Sequence, residues 1–191
     1  MSATKVVTGK VRASYVFLDK LKVNKRSDGT QTETHSVTLL IPKTDKQTLA
    51  AMKAAQEAAI VAKWGDKRPK VLKSTVHDGD GTRPSDGEEF GAECKGHYVV
   101  TVSSKNKPGI VDQNVKPVLT PNFIVSGDYV RADLNCSAYE DSGSKGTSFY
   151  LNNIQLWEKG EPLGNVSRPE DAFTPIQGAG AAAGEDEEVT F

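Results

Sequence analysis

Hydrophobic and polar positions alternate over residues 5–18. Val11, Ala13, Tyr15 and Phe17 fall on one side, with Lys10, Arg12 and Ser14 on the other. A period of two predicts a half-buried strand. Ser27-Asp28-Gly29 is a turn signal. A second strand is predicted over residues 34–41, with His35, Val37, Leu39 and Ile41 on one face and Pro42 at its end. The period then changes. Leu49, Met52, Ala55, Ala59 and Ile60 recur at helical spacing in an alanine-rich stretch. Thr44 is expected as N-cap, with Gln47 three residues on, and Gly65 as the C-terminal glycine. That helix spans about 20 residues, or roughly 30 Å.

Residues 66–96 are rich in Gly, Pro, Asp and Lys and read as a long excursion. Alternation resumes at 97–104, where Tyr98, Val100 and Val102 share a face, and a loop follows over 105–121. Residues 128–140 give the clearest strand. Val130, Ala132, Leu134, Cys136 and Ala138 form its apolar face; Tyr129, Arg131, Asp133, Asn135, Ser137 and Tyr139 form its polar one. A last strand is expected over 147–157. Five or six strands with turns between them and one helix predict a mainly β fold, an OB-fold-like small β-barrel. The helix lies between the second and third strands, whereas the simplest pattern has it between the third and fourth. After Gly164 the periodicity stops, and Gly178 to Gly184 are only Gly and Ala. A domain over residues 1–168 and a disordered linker and acidic tail over 169–191 are therefore expected.

Composition supports that division. Hydrophobic residues make up 37% of the 191, below the usual level of about 45–50% for globular chains. The net charge of −1 hides an asymmetry: all 24 bases precede residue 169, and the last 23 residues carry six acids and no base. A basic body with an acidic end points to a polyanionic partner and a built-in competitor for it. No apolar run reaches the length of roughly 18 residues that spans a bilayer, and the N-terminus has no apolar signal-peptide stretch. Cys94 and Cys136 lack metal-ligand spacing and are expected as buried reduced thiols.

Catalytic patterns are missing. The chain has no phosphate-binding Gly-rich loop ending in Lys-Ser/Thr, no Gly-x-Ser-x-Gly elbow and no His-Glu-x-x-His. His35 alternates with core residues and reads as structural. Asp78-Gly79-Asp80-Gly81-Thr82, with Glu89 twelfth, resembles the start of a calcium loop. Arg83 stands where that loop needs glycine, so a solvated turn is expected instead. No metal or cofactor is expected.

The polar face of 128–140 is more informative. Tyr129, Arg131 and Tyr139 put aromatic rings and a cation on a wet strand face. Unpaired bases stack on rings and cations track phosphates, with little dependence on sequence. Lys67, Arg68, Lys70, Lys73, Lys105 and Lys107 cluster in the flanking loops. The tail block Glu185, Asp186, Glu187 and Glu188 can mimic phosphate, and the terminal Phe191 can fill an apolar pocket on a partner.

These residues resemble the single-stranded-DNA-binding proteins of tailed bacteriophages, an OB-fold group with an acidic tail. The matching segments are Gly9-Lys10-Val11-Arg12 with Tyr15, Ser36 to Lys43, His77-Asp78-Gly79-Asp80, Lys107 to Asp112, Tyr129-Val130-Arg131-Ala132, Gly146 through Gln155, and Gly160 to Gly164. They span roughly residues 9–173 in the family's order. Arg83 to Cys94 matches nothing in the pattern. The resemblance implies a non-enzymatic protein of the infected host's cytoplasm, acting in phage DNA replication, recombination or repair. It also implies a tail that recruits replication proteins such as a polymerase or helicase. DNA contacts are expected at Arg12, Lys70, Lys73, Lys105, Lys107, Tyr129, Arg131 and Tyr139. A homodimer is compatible with such barrels. Two other readings stay open: a phage structural or adaptor module that binds no DNA, and a metal-dependent nuclease using Asp78, Asp80 and Glu89.

Overall fold

The alternating runs become strands that pair in a closed circuit. The computed structural model describes residues 3–25, 29–141 and 143–163. Its elements in chain order are β1 (Lys5–Val7), β2 (Val11–Lys25), β3 (Gln31–Pro42), helix α1 (Lys46–Trp64), β4 (Lys73–Ser74), β5 (Val76–Asp78), β6 (His97–Ser104), β7 (Gly109–Val111), β8 (Tyr129–Asp141) and β9 (Ser144–Glu158). The boundary expected at residue 168, the linker and the tail residues Glu185, Asp186, Glu187, Glu188 and Phe191 lie outside the described residues.

β2 pairs with β3, β3 with β6, β6 with β9, β9 with β8, and β8 back with β2. Only the β6–β9 step of that ring is parallel. The two weakest links are short: β6 meets β9 at Ser103↔Tyr150, and β8 meets β2 at Val11↔Val130 and Arg12↔Tyr129. Closure leaves the five ring strands no unpaired edge, and the crossed order is a Greek-key ring of the OB-fold kind. The mainly β fold with one helix expected from the pattern is the fold observed.

Alternation fills the ring. Val11, Val37, Leu39, Val100, Leu134 and Ile154 point inward and are fully or almost fully buried. Each such side chain contributes about 1.5–3 kcal/mol on leaving water. Met52, Ala55 and Ala59 of α1 join the same core. Alanines on that helix face keep α1 close to β8 and β1. Its N-cap is Asp45, whose carboxylate accepts from the Thr48 amide at 3.0 Å. The expected Thr44 is one residue early, because aspartate is the stronger cap and the two are adjacent. Gly65, with φ 51°, ends the helix as expected.

Four local expectations change. Residues 5–18 form two strands, broken at Thr8-Gly9-Lys10, where the Gly9 amide donates to Thr48 Oγ1 at 2.8 Å. β2 then shifts register between Ser14 and Phe17. Ser14 becomes buried and Tyr15 swings out to 65% exposure, the reverse of the simple alternation. The loop expected over 105–121 contains β7, which pairs in parallel with β9. The excursion over 66–96 contains β4 and β5 and carries Phe90 and Cys94 over Leu40 and Val99, with Leu163 joining them. Those residues form a second apolar cluster on the outer side of β3 and β6, so that wall of the ring is covered. Both cysteines are buried and free, and burial pushes the Cys136 thiol up to about 11. Among the described residues no helix is long and apolar enough to cross a membrane.

The end of β9 is fastened back onto the ring by two glycines. A Cβ on Gly127 (φ 110°) would lie 2.0 Å from the Glu161 carbonyl oxygen, and one on Gly160 would lie 2.0 Å from that of Gly127. Both obstacles are backbone, so neither can rotate away. Gly127→Ala is expected to destabilise the fold by about 2–4 kcal/mol, read from the urea midpoint. An unchanged midpoint contradicts this packing.

Candidate nucleic-acid interface

The outer surface where β2, β8 and β9 meet collects rings and cations. Tyr129 faces Arg12 across the β2–β8 pair. The Lys10 ammonium lies 4.4 Å from the Tyr129 ring centre, and the Arg12 guanidinium 5.7 Å from it. Two residues along β8, the Arg131 guanidinium lies 5.9 Å from the ring centre of Trp157 on β9. Trp157 is 43% exposed. Strand alternation causes this placement: Val130, Leu156 and Ile154 take the inside, which leaves Tyr129, Arg131 and Trp157 outside.

The cations are held in place rather than loosely tethered. Arg131 Nε donates to the Thr8 carbonyl at 3.3 Å. Arg12 donates from Nε to the Gly127 carbonyl at 3.2 Å and from Nη2 to that of Glu161 at 2.9 Å. Lys10 pairs with Glu158. Beneath them, the buried Asp128 carboxylate accepts from the Val125 amide at 2.9 Å, the Gly160 amide at 3.2 Å and Lys159 Nζ at 2.9 Å. Asp128 thereby ties the turn before β8 to the segment after β9.

The predicted contact residues do not form one cluster. Arg12, Tyr129 and Arg131 come together. Tyr139 lies ten residues along β8, about 33 Å away at strand spacing. Its hydroxyl group would be 2.9 Å from a Cβ on Gly146, and Gly146 pairs with Lys73 of β4. Lys73 and Tyr139 therefore form a second place at the far end of β8, with Lys70 in the exposed segment leading into β4. Lys105 and Lys107 follow β6 on the other rim. Lys107 is engaged with Asp19 at 2.8 Å. Three outward residues are additional to those expected: Lys10 and Trp157 at this surface, and Tyr15 on β2 beyond it. The polar side of the alternating run 5–18 already held Lys10. Trp157 alternates with Ile154 and Leu156 in a run that marks it as outward. Tyr15 carried no such signal, because only the register shift exposes it.

The acidic turn is bonded to Lys43. Lys43 Nζ bonds Asp78 and reaches Asp80 at 2.7 Å, while Asp80 accepts from the Gly96 amide at 2.9 Å. These contacts hold both carboxyls below the usual carboxylate range, with the bond to Lys43 the largest cause in each. Glu89 lies 3.5 Å from Lys95 instead. His35 is buried, and its Nδ1 has no hydrogen-bond partner among the described residues.

A family model described as the ssDNA-binding protein of Enterobacter phage Enc34 matches residues 4–189. The chain belongs to this family of phage single-stranded-DNA-binding proteins. They are binding proteins and not enzymes. The chain is 28% identical over 151 residues to protein p50 of Acyrthosiphon pisum secondary endosymbiont phage 1, covering 77% of this chain and 74% of that one. Its fold is similar to the single-stranded DNA-binding protein from bacteriophage Enc34 solved in complex with ssDNA. That match has TM-score 0.68 and 24% identity, over 85% of this chain and 91% of the other. It is also similar to gp2.5, a single-stranded DNA binding protein encoded by bacteriophage T7. There the TM-score is 0.56 at 13% identity, over 94% and 98% of the two chains.

The Asp19–Lys107 pair gives a pH test. Burial pushes the Asp19 carboxyl up, but bonds from Lys107 and the Asn122 amide outweigh it and hold the group below its ordinary 3.8. A lowered folded value means the contribution is present above about pH 4 and is lost as pH falls through the folded value. Asp19→Asn should therefore lose less stability than the parent between about pH 4 and pH 2, where carboxylates titrate, in thermal melts. Equal losses contradict the pairing.

Proposed function

We propose that this protein grips single-stranded DNA, without sequence preference, on the outer surface of β8 and β9 around Tyr129, Arg131 and Trp157. The observation that carries this reading is the row of rings each set against a cation: Lys10 and Arg12 at Tyr129, then Arg131 at Trp157. An unpaired base offers a flat face to such a ring, and a duplex does not, because its bases are already stacked on one another.

Magnitudes favour displacement of Lys10 from the ring by a base. An exposed cation–ring contact contributes about 0.5–1 kcal/mol, and an exposed ion pair such as Lys10–Glu158 about 0–1 kcal/mol. Base–ring stacking contributes about 1–3 kcal/mol, and the freed ammonium gains a phosphate. Arg131 acts as a phosphate contact held by the Thr8 carbonyl. Arg12 keeps the segment after β9 in place and adds charge. Lys70, Lys73 and Tyr139 at the far end, and Lys105 and Lys107 on the other rim, are assigned to outlying contacts. Lys107 must leave Asp19 to make one.

The test is a titration of oligo-dT at two salt concentrations. Tyr129→Ala is expected to weaken binding roughly 5- to 100-fold with an unchanged salt slope. Arg131→Ala should weaken it and lower that slope by about 0.7, the loss of one phosphate contact to a single strand. If neither variant differs from the parent protein, the face is wrongly assigned.

We further propose that the protein serves phage DNA replication, recombination and repair. In this reading the acidic tail rests against the basic face until DNA displaces it, and Phe191 then engages a polymerase or helicase. The support is charge complementarity. The tail is tethered, so its local concentration is high. Deleting residues 176–191 should tighten oligo-dT binding, most at low salt. Unchanged affinity in the truncated protein removes the competition.

A further inference from the structure

Tyr15 is the one large side chain on the ring strands that the chain turns outward by breaking its own strand. Val11 and Ala13 are buried, and unbroken alternation would bury Tyr15 with them. Instead the backbone enters the left-handed region at φ 46°, the register slips between Ser14 and Phe17, and the ring stands 65% exposed. A non-glycine residue in that region is strained, and such strain persists where the surroundings enforce it. They do here: the Ala13 amide and carbonyl bond Asp128 and Gly127, both at 2.8 Å, and the Val16 amide donates to Ser126 Oγ at 3.3 Å.

The ring lies near the proposed DNA face. Arg12 pairs with Tyr129, and Tyr15 is three residues further along β2, at most about 10 Å on at strand spacing. Leu163 lines the same cleft as Tyr15, together with Ser14, Glu93 and Ser126. The charge differs from that around Tyr129. Glu93 lines the cleft beside the ring. Arg83 stands within electrostatic reach of Tyr15 but is bonded to Asp86 at 3.0 Å and Glu88 at 2.7 Å. A phosphate gains little there. A neutral flat group loses nothing. Beyond it, Lys22 sits 5.7 Å from the ring centre of Phe17, and Lys20 lines the adjoining cleft, so cations resume on the β2–β3 arm.

We infer that Tyr15 is a second platform for a nucleobase, in a subsite that admits the base and not the phosphate of a strand running from Tyr129 toward the β2–β3 arm. The inference rests on the β8–β9 face being the DNA site. It adds a direction to the strand's path and a residue whose contribution does not depend on salt.

Tyr15→Gly separates this from a structural role, because glycine adopts the φ of this position freely. The variant should melt at the same temperature as the parent or higher, yet bind oligo-dT roughly 5- to 100-fold more weakly with an unchanged salt slope. Tyr15→Asn, which also tolerates the left-handed region, should behave alike, and Tyr15→Phe should retain binding. Near-ultraviolet irradiation with oligo-dT carrying 5-iodouracil should crosslink the parent protein at Tyr15. Parent-like binding by both Tyr15→Gly and Tyr15→Asn, where Tyr129→Ala is weakened, overturns the subsite and leaves the main face standing. Parent-like binding by all three overturns both. A lowered salt slope in Tyr15→Gly, or crosslinks that avoid Tyr15, also overturns the subsite.

Discussion

The pairing of β8 with both β9 and β2 is the constraint on which the rest depends. The β2 side of that pairing closes the ring through two register pairs, one of which is Arg12↔Tyr129. The same residues that complete the ring therefore stand at the centre of its aromatic-and-cation surface. Asp128 and the paired glycines Gly127 and Gly160 reinforce this seam from below. Around the seam, core formation and surface presentation are two faces of one strand.

Such coupling holds the cations of this surface in place. Flexible lysines and arginines lose side-chain entropy when they are fixed on binding. Here Arg12 and Arg131 are already anchored to backbone carbonyls, and Lys10 is paired with Glu158. The cost is met partly on folding. Contacts to neutral carbonyls leave each arginine its full charge, so anchoring does not remove its attraction for an anion. Lys43, bound by Asp78 and Asp80, and Lys107, bound by Asp19, are neutralised in comparison.

The outer walls of the ring are unequal. Over β3 and β6, Phe90, Cys94 and Leu163 cover Leu40 and Val99, so the long excursion closes that wall. The wall of β8 and β9 stays open near Tyr129 and Trp157. Leu163 belongs to the cover of one wall while the segment before it borders the other. Leu163 therefore stands at the boundary between the two walls.

The amino-acid order determined much by itself. Alternation at 34–41, 97–104 and 128–140 fixed which side chains enter the core, because a strand's period leaves no choice once one face is apolar. Helical spacing from Leu49 to Ile60 fixed α1, and the outward placing of Tyr129 and Arg131 was legible from Val130 and Ala132 between them. Tertiary structure decided what needed a second strand to define it. It set Trp157 against Arg131 and moved Tyr139 and Lys73 away from Tyr129, since strand length separates residues that share a face. It gave Lys107 to Asp19, and it turned Tyr15 outward, because the turn at Ser126 to Asp128 bonds β2 where the local pattern alone would have kept alternating. Short-range periodicity records burial; which charges and rings become neighbours depends on cross-strand register, and that is a property of the closed ring.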